Sequence, residues 1–245
     1  MPGRVWYAPA IGLAAVAVTV APIATSSAFA ATGSVAGYQV TAGTDTSVSA
    51  SWTVPALSCG TSVSTANTAI GLGTNADGVD GALIGIDASC SAGVASYQAW
   101  YTYALPQLLS HTVVAGDSVS ASVSYTGDVS TWNEYALTLT DHTQNWSQTE
   151  DIYSSSFLDT SAVVAVEPLA VAPVATGVPI YTLKSEALAN FGTVDFTGAE
   201  INSGPVGDTA PELLDLVSGS GVTDAVTSAL DSTGEDFSVN WQSSN

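Results

Sequence analysis

Carboxyl groups are almost the only side chains in this sequence equipped for acid–base chemistry. Asp and Glu number 22 over 245 residues, against 2 Lys and Arg and 2 His. The candidates are Asp77, Asp80, Asp87, Asp117, Glu134, Asp141, Glu167 and Glu200. Glycoside hydrolysis needs two carboxyls about 5 to 10 Å apart across one cleft. Spacing along a chain cannot reveal that separation when strands bring the groups together. Glu167 stands out because it is the single carboxylate in an apolar run, SAVVAVEP from Ser161 to Pro168.

Other chemistries lack their parts. His111 and His142 have no companions at metal-ligand spacing, and a structural zinc site needs about four N or S donors. The stretch NADGVDG has the alternating Asp residues of a calcium loop but not its terminal Glu. There is no phosphate-binding loop, no dinucleotide fingerprint and no G-x-S-x-G elbow. We therefore expect no metal and no cofactor.

The elements that must position these groups read as strands. SVSASWTVP puts Val48, Ala50, Trp52 and Val54 on one face and Ser or Thr on the other. YQAWYTYALP, DSVSASVSY, YALTLTD, FGTVDFTGAEI and EDFSVNWQ follow, separated by Gly, Asn, Asp and Ser clusters. Period-two alternation at this spacing predicts an all-β, antiparallel sandwich. Between Pro211 and Leu230, PELLDLV and VTDAVTSAL suit either short helices or strands, and we favour strand and loop.

Residues 1–30 carry an apolar stretch, AIGLAAVAVTVAPIA, then AFA followed by Ala31, a small-x-small cleavage pattern. They predict an export signal, leaving residues 31–245 as a single secreted domain. Beyond that signal Lys184 is the only basic side chain. Nucleic acid and anionic membrane are excluded as partners, since both are held through Lys and Arg. The formal charge of −20 predicts self-repulsion that fades as carboxylates protonate, and so an acidic working environment. Cys59 and Cys90 would meet an oxidising compartment and are expected to pair.

Several of these stretches together resemble one family. SASWTVP, GIDASCSAGVASYQAWYTYALPQ, VVAGDSVSASVSY, ALTLTDHTQNWSQ and ANFGTVDFTGAEI follow the order and spacing of the glutamic peptidases, or eqolisins. The most specific blocks are S-Y-x-A-W-Y at Ser96–Tyr101 and F-G-T-V-x-F-T at Phe191–Thr197. The resemblance runs from about Gly37 to Trp241. It implies a concanavalin-like pair of bent antiparallel sheets with a substrate cleft along the concave face.

In that family a Glu acts as general base on water, and a Gln amide holds the water and stabilises the oxyanion. Aligning ALIGID with the family's L-Q-T-G-V-D puts Leu83 where the Gln belongs. Aligning AVVAVE with A-E-W-I-V-E puts Val163 where the Glu belongs. A substrate-facing Trp and Asp become Ala69 and Gly73. Leu cannot donate a hydrogen bond and Val cannot take a proton. The resemblance thus implies a homologue without the catalytic pair, a monomer that binds peptide or glycan in the cleft through Trp100, Tyr101 and Tyr103. One alternative is an acid endopeptidase whose base is Glu167, the family's second Glu; its Gln partner is still missing at Leu83, and Gln98, Gln107 and Gln144 are the glutamines available elsewhere. Another is a lectin or glycosidase-like protein.

Overall fold

The computed structural model describes residues 31–41, 43–73, 81–103, 105–154, 161–173 and 181–244. The expected export signal and the calcium-like stretch with Asp77 and Asp80 lie outside the described residues. The strands run β1 (Ala31–Gly33), β2 (Ala36–Val40), β3 (Ser47–Thr53), β4 (Ser64–Leu72), β5 (Ala82–Ser91), β6 (Val94–Tyr103) and β7 (Leu105–Leu108). They continue as β8 (Ser118–Val129), β9 (Trp132–Asp141), β10 (Trp146–Ser154), β11 (Ala162–Glu167), β12 (Leu169–Pro173) and β13 (Tyr181–Ser185). The last are β14 (Ala187–Leu188), β15 (Thr193–Ile201), β16 (Gly204–Pro205), β17 (Glu212–Val217), β18 (Thr223–Thr227) and β19 (Phe237–Trp241). The ambiguous region from Pro211 to Leu230 forms strands β17 and β18. No helix among the described residues is long and apolar enough to cross a membrane.

Two layers result, almost wholly antiparallel. One runs β10-β9-β8-β3-β15-β19. The other runs β7-β6-β5-β4-β11-β2-β17. Strand β18 pairs with both β17 and β19 and joins the layers along one edge. The main core between them holds Trp52, Ile70, Ile84, Tyr135, Leu137, Phe196 and Phe237.

The first layer obeys the alternation read from its sequence. In β3, Val48, Ala50 and Trp52 are buried while Ser47, Ser49 and Ser51 are only half-covered. The second layer does not alternate. Every residue of β11 is buried, and so are all of β4 but its first and nearly all of β5. A second apolar cluster explains this: Val35, Ala69, Leu83, Trp100, Val163, Ala165, Val171 and Leu214 pack together on the layer's other face. Strands apolar on both faces read as continuous runs, which periodicity alone does not resolve. The disulfide Cys59–Cys90 is formed, with Cα atoms 5.4 Å apart, and staples the end of β5 to the segment preceding β4.

Candidate functional site

The outer face of the second layer is organised in rows, because directly opposed residues in antiparallel strands project to the same side. Val163, Gly71 and Leu83 form one row. Ala165, Ala69, Gly85 and Trp100 form the next. Glu167, Asn67, Asp87 and Gln98 form the third. From Val163 to Glu167 is four residues, about 13 Å along an extended strand.

The first row is dry. Leu83 and Val163 are 1% and 2% exposed, on either side of Gly71. A Cβ on Gly71 would stand 2.6 Å from Leu83 Cδ2, so the Leu83 side chain occupies the space that only glycine leaves free. Burying a Leu or Val side chain fully is worth about 1.5–3 kcal/mol. The face is therefore held shut by the same force that builds a core.

The middle row is a platform for Trp100, which is 0% exposed. Its indole Nε1 donates to Asn67 Oδ1 at 2.9 Å. Trp100 is on β6 and Asn67 on β4, so the ring must cross β5. Gly85 permits this crossing, being the residue of β5 paired with Trp100, and a Cβ there would already collide with the Thr68 carbonyl at 2.1 Å.

The third row carries the polar chemistry. Asp87 Oδ1 accepts from Thr65 Oγ1 at 2.7 Å and Ser89 Oγ at 2.8 Å, and its Oδ2 accepts from the Val171 amide at 3.1 Å. Burial nevertheless raises its pKa, with these hydrogen bonds opposing the shift. Glu167 is 2% exposed. Its burial, and the Asp87 charge after that, push its pKa up to about 8. Glu167 Oε1 and Asn67 Nδ2 are both buried without a hydrogen-bond partner.

The remaining candidates are scattered. Asp117 accepts from the Val114 amide and from Gln144 Nε2, and Asp141 caps the β9–β10 turn through the amides of Thr143 and Gln144. Glu134 takes the Tyr153 hydroxyl, and Glu200 lies half-buried on β15. His111 stacks on Trp146 at 4.5 Å, while His142 meets Ser120 Oγ. Among the described residues no three His, Cys, Asp or Glu gather as a metal site. Lys184 bonds to Glu186.

Of the expected ligand-facing aromatics, Trp100 is sealed inside the second cluster. Tyr101 packs on the main core, on the opposite side of the sheet. Tyr103 ends β6, and its side chain lies outside what the structure describes. Of the three glutamines, Gln98 shares the row of Glu167, exposed at its far end, whereas Gln107 and Gln144 bond to Leu105 and Asp117. Sequence reading misses Asn67, whose only signal is an amide isolated in a small-residue, apolar run, TANTAIGL.

The fold is thus a two-layer antiparallel sandwich with two buried carboxyls, Asp87 and Glu167, on one sheet's outer face. The Peptidase A4 family profile matches residues 33–241, and the chain belongs to that family, the eqolisin or glutamic peptidase family. Solved structures agree in fold. Scytalido-glutamic peptidase bound to a transition state analog inhibitor aligns with TM-score 0.61 and 22% identity over 85% of this chain and 98% of that one. SCP-B, an eqolisin in complex with the tripeptide Ala-Ile-His, aligns with TM-score 0.61 and 21% identity, covering 85% and 98%. Aspergilloglutamic peptidase from Aspergillus niger gives TM-score 0.52 and 23% identity, covering 73% and 99%. No curated protein matches the chain.

Proposed function

We infer that this protein is a secreted eqolisin homologue that does not cleave peptides with the family's Gln–Glu pair and acts by binding peptide at the exposed polar end of the outer face of its second layer. One observation carries the reading: Leu83 and Val163, aligned with that pair, lie in one closed apolar cluster with Trp100. A general base must be ionised and must reach water, and neither side chain offers either property. Peptide is the favoured ligand class because an eqolisin of the same fold holds a tripeptide. The exposed polar end of the face, Ser96 and Gln98, offers the first contacts.

A second reading has its own support. Glu167 and Asn67 set a carboxyl beside a carboxamide, each with an unpartnered atom. Yet a carboxyl with its pKa pushed up to about 8 is protonated in acid. It could donate a proton there but not accept one from water.

Cleavage of a diverse quenched-fluorescent peptide library, from acidic to neutral pH, decides between the two. The expected result is no cleavage by the folded protein, with peptide-array binding retained. Acid cleavage that disappears in Glu167→Gln would instead establish a peptidase built on Glu167.

A further inference from the structure

Most buried carboxyls here have a plain structural task, as Asp117 and Asp141 do in their turns. Glu167 has none, and Asp87 ties a strand that belongs to neither layer. They lie on strands flanking β4, in one row, with Asn67 between them. Strand β12 begins two residues after Glu167, beyond Pro168, and crosses the face, where Val171 joins the cluster of Leu83, Trp100 and Val163. Its amide donates to Asp87. One carboxyl therefore sits at the root of the covering strand and the other holds its middle.

We propose that a proton on the Glu167–Asp87 pair latches β12 over the outer face, and that losing this proton releases the strand and uncovers the Leu83–Trp100–Val163 cluster. With the proton on Glu167 the row carries one negative charge, on Asp87, which keeps its bonds from Thr65, Ser89 and Val171. With the proton gone, a second charge stands on a carboxylate whose Oε1 has no partner. A buried charge must be paired or hydrated.

Among the described residues no packed element supplies a counter-charge. β4 and β12 bring no titratable side chain, and β5 brings only Asp87. Tyr38 of β2 turns its ring to Phe237 in the main core. Glu212 of β17 is acidic, and pairs with Gln39 at the level of Val163, two rows away. Lys184 of β13 is engaged by Glu186. Hydration is the remaining route, and β12, which follows Glu167 in the chain and packs against β4 and β5, is the element whose movement would admit water. The pKa of Glu167, raised to about 8, places release on the alkaline side of neutrality. The latch concerns the face read above as the ligand site, but it needs no ligand, so it can fail while that reading stands, and the reverse.

The test is amide exchange and 15N–1H NMR on the labelled full chain from about pH 5 to about pH 9, corrected for intrinsic exchange. Val171 amide protection should fall about tenfold or more across the transition, relative to Val164 in the doubly paired β11. The Trp100 indole N–H should shift with the same midpoint, and the Trp52 indole should not. In Glu167→Gln, Val171 should stay protected throughout. In Asp87→Asn, which keeps an acceptor but removes the repelling charge, the midpoint should fall. Protection of Val171 that is constant with pH, or a transition unchanged in Glu167→Gln, overturns the latch. Should either variant fail to fold, the wild-type traces decide: a Trp100 indole N–H that titrates with an unmoved Val171 amide refutes it.

Discussion

Strands β3 and β11 belong to the same sandwich and bury their residues in opposite ways. β3 keeps Ser47, Ser49 and Ser51 toward solvent and Val48, Ala50 and Trp52 toward the main core. The pattern spreads sideways into a field of hydroxyls, in which Thr138 meets Thr149 and Thr140 meets Ser147, each at 2.8 Å. A cavity of about 280 Å³ opens there, lined by Ser49, Ser51, Ser120, Ser122, Thr138 and Thr140. β11 is buried at every position because its second face is covered as well. One layer of this molecule turns its outer face to water, while the other has made its outer face a second core. In the second layer, Leu83 and Val163 are packing positions.

Truncating Trp100 tests this most severely. If the outer face is a true core, Trp100→Ala costs about 3–5 kcal/mol in urea unfolding, the range for a buried aromatic, and it also strips Asn67 Oδ1 of its donor. Trp52→Ala, in the main core, should cost about as much. A markedly smaller loss at Trp100 would mean that the covering strand closes the face only loosely. Replacing Cys59 and Cys90 by Ala comes next, at about 2–4 kcal/mol for a disulfide, measured as a lower thermal midpoint.

Stability should also fall as pH rises. Glu167 is shifted from 4.5 to about 8, so the folded state holds a proton that the unfolded chain has lost between these values. Its contribution is complete below about pH 4.5 and declines by about 1.4 kcal/mol per pH unit until the folded pKa is passed. Asp87 and Asp45, both raised by burial, act in the same direction. Urea midpoints across this window should slope downward, and Glu167→Gln should flatten the slope; a rise toward neutrality would contradict the whole account. Asp231 works the other way. The Thr233 hydroxyl, and the Thr233, Glu235 and Asp236 amides after it, lower its pKa to about 2. Its contribution is complete above the ordinary Asp pKa of 3.8 and is lost as pH falls from there through about 2, which amide exchange at Gly234 would report. The smallest effects belong to the open face, where Ser120→Ala or Thr138→Ala should stay within about 0.5 kcal/mol.

The sequence alone determined the strands that face water. β3, β8, β9, β15 and β19 alternate because one side of each meets solvent, and solvent is what imposes a period of two. The motif blocks around Ser96–Tyr101 and Phe191–Thr197 likewise disclosed the family, and the cysteines their pairing. Tertiary structure alone decided the rest: that Trp100 is core and Tyr101 faces away from it, that Asn67 is the neighbour of Glu167, and that Val171 ties β12 to Asp87. Each of these depends on register between strands distant in the chain, and a one-residue slip would send every such side chain to the other face.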